Sequence, residues 1–163
     1  MNKLYVGRVV GTHGIKGEIK VFSDNEYQER IFKVGTVFYF GDLEKEYKVS
    51  QIRYHKGNYL VLLDGFNNIN DVLFLNKMNV YVDRDIVLND NEYTFDDLIG
   101  FTVIYNEEEV GVIKDYQSNS SYTTFLVEGR KNFYLPNVEE YVVNIDLKDK
   151  KVYTKNVGEL MIW

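Results

Sequence analysis

The stretch that most restricts the fold is residues 6–23, which read VGRVVGTHGIKGEIKVFS. Glycine stands at positions 7, 11, 14 and 17, and because glycine is among the poorest helix-forming residues, this spacing excludes a helix. The flanks are typical of strands, since Val9 and Val10 are β-branched and residues 18–21 alternate polar and apolar side chains. The stretch therefore predicts two strands joined by a glycine-rich turn over residues 12–17.

The predicted turn presents three groups that can contact phosphate: the hydroxyl of Thr12, the imidazole of His13 and the ammonium group of Lys16. It is not a nucleotide-binding loop, because its glycines form GxxGxxG and a strand follows. The dinucleotide and P-loop motifs need other glycine offsets and a following helix. An equally weighted alternative is that the glycines only turn the corner of a barrel and relieve close packing.

The rest of the chain consists mainly of short β-type runs bounded by turn residues, which predicts a series of strands with short connections. Short strands at even spacing, with little helix, are typical of small β-barrels. The predicted strands cover residues 36–40, 47–55, 59–63, 78–82, 101–105, 110–113, 123–127, 133–135, 142–147 and 152–154.

One short helix is predicted in the first half of the chain. Asn68 suits its N-cap, and Asp71 places a carboxylate near the positive end of the helix dipole. Ile69, Val72 and Leu73 follow the i, i+3, i+4 spacing of an amphipathic helix. We expect this helix to cover one end of a barrel.

A run of carboxylates divides the chain into two parts. Residues 83–97 hold six Asp and Glu but only one Arg. Such a run is usually a solvated linker, although a paired-carboxylate site is an alternative. We therefore predict an all-β protein of two small β-barrel domains, residues 1–84 and 93–163, joined by a short acidic linker at 85–92.

The charge is uneven between these parts. Residues 1–84 contain 12 Lys and Arg against 10 Asp and Glu, whereas residues 85–163 contain 7 against 15. Phosphate affinity comes largely from Lys and Arg, so the acidic half is a poor generic polyanion binder. An acidic surface instead attracts a basic protein by electrostatic steering.

Composition and motifs leave few candidates for catalysis. The chain has no cysteine, which excludes disulfides, thiolate catalysis and cysteine-ligated zinc and fits a reducing cytoplasm. His13 and His55 are the only histidines and have no carboxylate at ligand spacing, and no GxSxG motif occurs. No signal peptide or membrane span is indicated. We predict no catalytic residue, no metal, no cofactor and no membrane partner, and a cytoplasmic monomer.

One further set of motifs spans nearly the whole chain: residues 6–19, 54–57, 64–65 and 92–100, then Val103, Gly111 and Val112, and finally residues 135–136. In their order, and in the fairly specific opening motif, these residues resemble the bacterial RimM family of ribosome maturation factors.

The resemblance implies a non-enzymatic assembly factor with a translation-factor-like six-stranded barrel followed by a PRC barrel. Such proteins bind the immature small (30S) ribosomal subunit through ribosomal protein S19 of its head, and they assist 16S rRNA maturation. Thr12, His13 and Lys16 then become possible RNA or ribosome contacts. An acidic second half also suits a basic ribosomal protein.

The resemblance places a partner-binding site at Tyr93, Thr94 and Phe95. The family usually has two adjacent tyrosines there, but only Tyr93 matches, because Thr94 occupies the second place. Phe95 either supplies the missing aromatic surface or belongs to the core. For Tyr93, burial where the linker meets the barrel is an alternative to an exposed contact.

Two further hypotheses remain open from sequence. One is an enzyme acting on RNA or a nucleotide through His13 and Lys16, which requires an acidic group near His13. The other is a β-barrel interaction module for an unrelated partner. The apolar C-terminal residues 158–163 either fold back between the domains, burying Trp163, or are disordered.

Overall fold

The computed structural model describes residues 2–161, so the prediction for Trp163 lies outside the described residues. The predicted all-β architecture is confirmed, with twelve strands in two compact units divided between residues 90 and 91. The strands are β1 (Lys3–His13), β2 (Glu18–Phe22), β3 (Val37–Phe40), β4 (Tyr47–His55), β5 (Asn58–Leu63), β6 (Asn79–Asp83), β7 (Thr102–Tyr105), β8 (Glu108–Ser118), β9 (Thr123–Glu128), β10 (Phe133–Pro136), β11 (Val142–Asp146) and β12 (Lys151–Thr154).

The helical elements are all short. None within residues 2–161 is long and apolar enough to cross a membrane. They comprise the α-helical turns α1 (Gln28–Ile31) and α2 (Arg84–Val87) and the 3₁₀ turns Ile69–Asp71, Leu73–Leu75, Phe95–Leu98 and Val157–Leu160.

The first unit is a closed barrel in the strand order β1-β2-β5-β4-β3-β6. Closure depends on the eleven-residue strand β1, which pairs with β6 along its first part and with β2 along its second. Leu4 lies opposite Val82, and Val9 lies opposite Val21. All four side chains are buried in one core that fills the barrel.

Strand β1 is irregular in both of its ladders. The register shifts between Tyr5 and Gly7 on the β6 side and between Val9 and Gly11 on the β2 side. Such bulges bend a strand and increase its twist, which helps a small sheet to close. A Cβ at Gly7 would collide with the carbonyl oxygen of Phe22, so glycine is needed where the two backbones approach.

The helix predicted at residues 68–73 forms as two consecutive 3₁₀ turns. Asn68 is the N-cap, as expected, since its side chain accepts a backbone N–H two residues on at 2.9 Å. A 3₁₀ helix has three residues per turn, so Val72 and Leu75 enter the core together. Leu73 is 51% exposed, so the prediction that it shares one apolar α-helical face with Ile69 and Val72 was wrong.

Part of the predicted linker at 85–92 packs on the first unit. Helix α2 follows Asp83, whose carboxylate accepts the backbone N–H of Asp85 at 3.1 Å. Val87 and Leu88 are buried in the barrel core. The carboxylate run thus includes a capped helical turn with a buried apolar side, which a count of charges does not indicate.

The second unit is a six-stranded sheet in the order β10-β9-β8-β7-β12-β11. Four of its five neighbouring pairs are antiparallel, but β7 and β12 are parallel, with Val103 opposite Val152. The last strand therefore lies inside the sheet, beside the first strand of the unit. In the described part of the chain, this strand order ends at β10 and β11 and does not close on itself.

One turn and one strand end of the second unit form where the sequence predicts them. Asn106 and Glu107 both have positive φ between β7 and β8, as the tight turn of a two-residue hairpin requires. Pro136 is the last residue of β10, consistent with its lack of a backbone donor. The fully buried aromatic side chains of this unit are Phe125 and Phe133.

Candidate functional site

The first candidate site includes the β1–β2 turn, whose backbone is held by the 3₁₀ segment. The backbone N–H of Ile69 donates to the carbonyl oxygen of Ile15 at 3.0 Å. Gly17 has a φ of +101°, and a Cβ there would lie 3.1 Å from the carbonyl oxygen of Asn68. The turn is therefore fixed by glycine geometry and by a backbone hydrogen bond, and it presents its side chains from a defined position.

The structure brings His13 next to His55. Their ring centroids are 5.6 Å apart and the ring planes meet at 62°, an edge-to-face contact. His13 is the last residue of β1 and His55 is the last residue of β4. Strands β2 and β5 lie between β1 and β4 in the sheet order, so no local sequence pattern indicates this contact.

Basic side chains surround this pair on the outer face of the barrel. Lys20 and Arg53 lie opposite Leu60 in the two ladders of β5, so the three side chains share one face. Leu60 is fully buried although it does not belong to the barrel core. The outer side chains therefore pack over it, with long basic stems covering apolar surface.

Partial burial and the nearby positive charges lower the pKa of His55 below its ordinary value of 6.5. Desolvation is the largest cause, followed by the charges of Lys56, His13, Arg53 and Lys20. His55 is therefore predominantly neutral at neutral pH, with cations around it. We refer to His13, Lys20, Arg53, His55 and Lys56 as the imidazole cluster.

The structure places the other two predicted phosphate contacts, Thr12 and Lys16, differently from each other. Thr12 is opposite the core residue Ile19, which places it on the inner side of the β1–β2 ladder. Lys16 is exposed in the turn and lines a cleft of about 270 Å³ with Glu18, Arg53 and neighbouring residues of β4 and β5.

Glu18 lies opposite His13 in the β1–β2 ladder, and its carboxylate forms an ion pair with Arg53. Its two carboxylate oxygens accept from Arg53 at 3.2 and 3.3 Å. Within residues 2–161, no group of three or more His, Cys, Asp or Glu side chains is placed to hold a metal ion. The carboxylate opposite His13 is therefore paired with the Arg53 guanidinium.

The second candidate site is the segment that opens the second unit. Thr94 is only 4% exposed and caps the 3₁₀ turn Phe95–Leu98. Its backbone N–H donates to the carboxylate of Asp97 at 2.7 Å. Thr94 thus supports the local backbone, whereas Tyr93 and Phe95 are half-buried and pack against the core of this unit.

Phe95 belongs to an aromatic group that the sequence did not indicate. Its ring lies 5.7 Å from that of Tyr116 and 6.2 Å from that of Phe125. The Tyr116 hydroxyl donates to Asp96 at 2.9 Å, so strand β8 is tied to the opening segment. Tyr116 and Asp96 are therefore part of this site, and only the three-dimensional pairing of β8 with β9 reveals it.

Comparison with known proteins identifies the family. Residues 4–87 match the family model of the RimM N-terminal domain, and residues 95–160 match that of the RimM PRC barrel domain. The chain belongs to the RimM family. The resemblance seen in the sequence and both predicted domain types of this RimM-family chain are thereby confirmed.

Similar proteins include two from Staphylococcus aureus that are named ribosome maturation factor RimM. The one from strain bovine RF122 / ET3-1 is 35% identical over 156 residues, and the one from strain JH9 is 34% identical over the same length. Each alignment covers 92% of this chain and 93% of the relative. The match therefore extends over both domains.

Two solved structures of RimM proteins are also similar. A crystal structure of a 16S ribosomal RNA processing protein RimM from Pseudomonas aeruginosa has a TM-score of 0.49 and 19% identity, and the match covers 97% of this chain and 99% of that one. The solution structure of the N-terminal domain of RimM from Thermus thermophilus has a TM-score of 0.46 and 15% identity, covering 56% and 100%.

Proposed function

We propose that this RimM-family chain is a ribosome maturation factor that binds the immature small ribosomal subunit and assists 16S rRNA maturation, as a cytoplasmic monomer without a catalytic step. The observation that supports this most strongly is the match over both domains to relatives named ribosome maturation factor RimM. The two family models, which together match residues 4–87 and 95–160, are consistent with the same role.

The proposed protein partner is ribosomal protein S19, bound by the second unit. When the chain is divided between residues 90 and 91, the first unit has 12 Lys and Arg against 12 Asp and Glu, and the second unit has 7 against 13. The acidic excess therefore lies entirely in the second unit. A negative surface of this kind favours association with a basic ribosomal protein and raises its rate.

Tyr93 and Phe95 are the proposed contacts at the start of the second unit. Both are half-buried aromatic residues, with part of each ring packed on the core and part accessible. Aromatic side chains held in this way are common among the residues that dominate interface energies. Thr94 contributes by holding the backbone between them through its hydrogen bond to Asp97.

The test is co-sedimentation of the full chain with immature small subunits from cells lacking the factor. We expect Tyr93→Ala to weaken binding by about tenfold or more, as loss of an interface anchor does. The matched control is Tyr134→Ala, which removes an exposed tyrosine on β10 of the same unit. Tyr134→Ala should sediment like the native protein.

Thermal unfolding separates lost contact from lost fold, because Tyr93 also packs against the core. Tyr93→Phe keeps the ring, so comparing its sedimentation with that of Tyr93→Ala separates the contribution of the ring from that of the hydroxyl. Native-like sedimentation of a folded Tyr93→Ala variant would remove Tyr93 from the interface. If the native protein itself failed to sediment with immature subunits, the proposed function would be wrong.

A further inference from the structure

The imidazole cluster is a feature of the first unit that docking through the second unit does not explain. Its two histidines, the only ones in the chain, come from strands separated by two others and meet edge to face at 5.6 Å. They are placed among three further cationic side chains. Such a concentration of positive groups is unfavourable by itself unless an anion binds there.

The cluster is organised before any ligand arrives. Lys20 and Arg53 flank the fully buried Leu60, and the carboxylate of Glu18 holds the Arg53 guanidinium through two hydrogen bonds. A guanidinium held in this way loses less conformational entropy when it binds an anion than a free surface side chain does. The outer face around Leu60 thus has the properties of a prepared anion site.

Local charge distinguishes this site from the rest of the unit. The first unit contains equal numbers of cationic and anionic residues, so it has no general attraction for polyanions. Within the cluster, however, three cations, Lys20, Arg53 and Lys56, lie near His55, and the one carboxylate beside them, Glu18, is paired with Arg53. Any phosphate affinity of this unit should therefore be concentrated here.

We propose that the imidazole cluster binds a phosphodiester group of RNA, with Lys20 and Arg53 holding its anionic oxygens and His55 taking up a proton from solvent as the phosphate binds. This inference deepens the proposed function and rests on it, because ribosomal RNA is the RNA that the factor would meet. An RNA phosphodiester and a free anion such as sulfate both present tetrahedral anionic oxygens to such a site. Of these two ligands, we favour the RNA backbone.

Proton uptake gives the site a defined pH dependence. The charged and titratable groups around His55 are His13 from β1, Glu18 and Lys20 from β2, Arg53 from β4 and Lys56 from the β4–β5 turn. Before binding, the cationic neighbours disfavour the imidazolium form, whereas a bound phosphate favours it. Affinity must therefore rise as pH falls through and below the ordinary histidine value.

The first experiment measures binding of the full chain to a uridine oligonucleotide, whose charge is constant between pH 6.0 and 7.5. We expect binding to be about three- to tenfold tighter at pH 6.0, as uptake of up to one proton over this range allows. The double variant His13→Gln, His55→Gln should change by less than about twofold. The matched control is Lys48→Gln, an exposed lysine about 16 Å along β4 from Arg53, which should keep the native pH dependence.

The second experiment follows both imidazoles by NMR in the native chain, so it does not depend on a variant that folds. We expect the oligonucleotide to raise the pKa of His55. Sulfate, whose charge is also constant over this pH range, tests whether the site binds a free anion instead of RNA. A shift caused by sulfate but not by RNA would indicate an adventitious ion only and would overturn the proposal, as would histidine titrations that neither probe changes.

These outcomes are independent of those for the proposed function. Sedimentation with small subunits reports that function through Tyr93, whereas the oligonucleotide reports the imidazole cluster alone. If native protein sediments with subunits but shows no pH-linked RNA binding, the phosphate site is wrong and the proposed function stands. If RNA binding is pH-linked but sedimentation fails, the proposed function is wrong.

Discussion

The two units use the same number of strands to form different kinds of sheet. In the first unit, β1 pairs on both sides and the six strands close into a barrel. In the second, the order runs from β10 to β11, with the parallel pair β7–β12 inside it. The first unit is electrically neutral and the second is strongly acidic. The comparison shows that strand content alone determines neither closure nor surface chemistry.

The largest expected effects come from truncating one buried aromatic residue in each core. Phe38 in the first unit and Phe125 in the second are both fully buried. Phe38→Ala and Phe125→Ala should each lower the free energy of unfolding by about 3–5 kcal/mol, because each leaves a cavity. Hydrogen exchange measured along the chain should show that protection falls mainly in the unit carrying the substitution. Equal loss in both units would contradict separate cores.

A smaller effect is expected where the barrel closes. Gly7→Ala places a methyl group against the Phe22 carbonyl, so the strands must separate, at a cost of about 2–3 kcal/mol in unfolding experiments. Gly14→Ala is the control, since a Cβ at Gly14 meets nothing within 4 Å and only its positive φ is unfavourable. Its cost should be about 1 kcal/mol. Similar values for the two variants would mean that this close approach is unimportant for closure.

The opening segment of the second unit gives a third, more modest test. Asp97→Ala removes the acceptor for the Thr94 backbone N–H, which should lower the free energy of unfolding by about 1 kcal/mol. Chemical denaturation measures this change. The companion variant is Asp96→Ala, which instead removes the exposed hydrogen bond from the Tyr116 hydroxyl and should cost less. The reverse order would show that the aromatic group, not the cap, holds this segment.

The smallest effect is a pH dependence confined to the first unit. Because the pKa of His55 is lower in the folded chain than its ordinary value of 6.5, the unfolded chain binds more protons as pH falls below that value. The contribution of His55 to the free energy of unfolding is therefore fully present above pH 6.5 and decreases as pH falls below that value. The difference in melting temperature between the native protein and His55→Gln should narrow on going from pH 7.5 to 5.5. A constant difference would contradict the assigned pKa direction.

Local patterns were sufficient to predict most strands and several turns. The glycine spacing in residues 6–23 and the β-branched flanks specify the first hairpin. The turn at Asn106 and the end of strand β10 at Pro136 also follow rules that act within a few residues. The helix type at residues 69–75 was missed, because α and 3₁₀ spacing differ by only one residue over the first turn.

The candidate sites were predictable only in part, because their key contacts join distant segments. His13 was identified from its turn, but its partner His55 is brought near by the order of four strands. Thr94 stands where a tyrosine was expected, and its burial as a cap became evident only from the structure. The parallel β7–β12 pair likewise depends on tertiary packing, since a hairpin pattern never specifies it.

The interior position of β12 has a consequence for synthesis of the chain. Strand β6 completes the first barrel at Asp83, so that domain has all of its strands when about half of the polypeptide has been made. In the second domain, β7 lacks its parallel neighbour β12 until residues 151–154 have left the ribosome. Strand β11 in turn pairs with the sheet through β12. Translation therefore supplies every strand of the N-terminal barrel well before the C-terminal sheet can assemble.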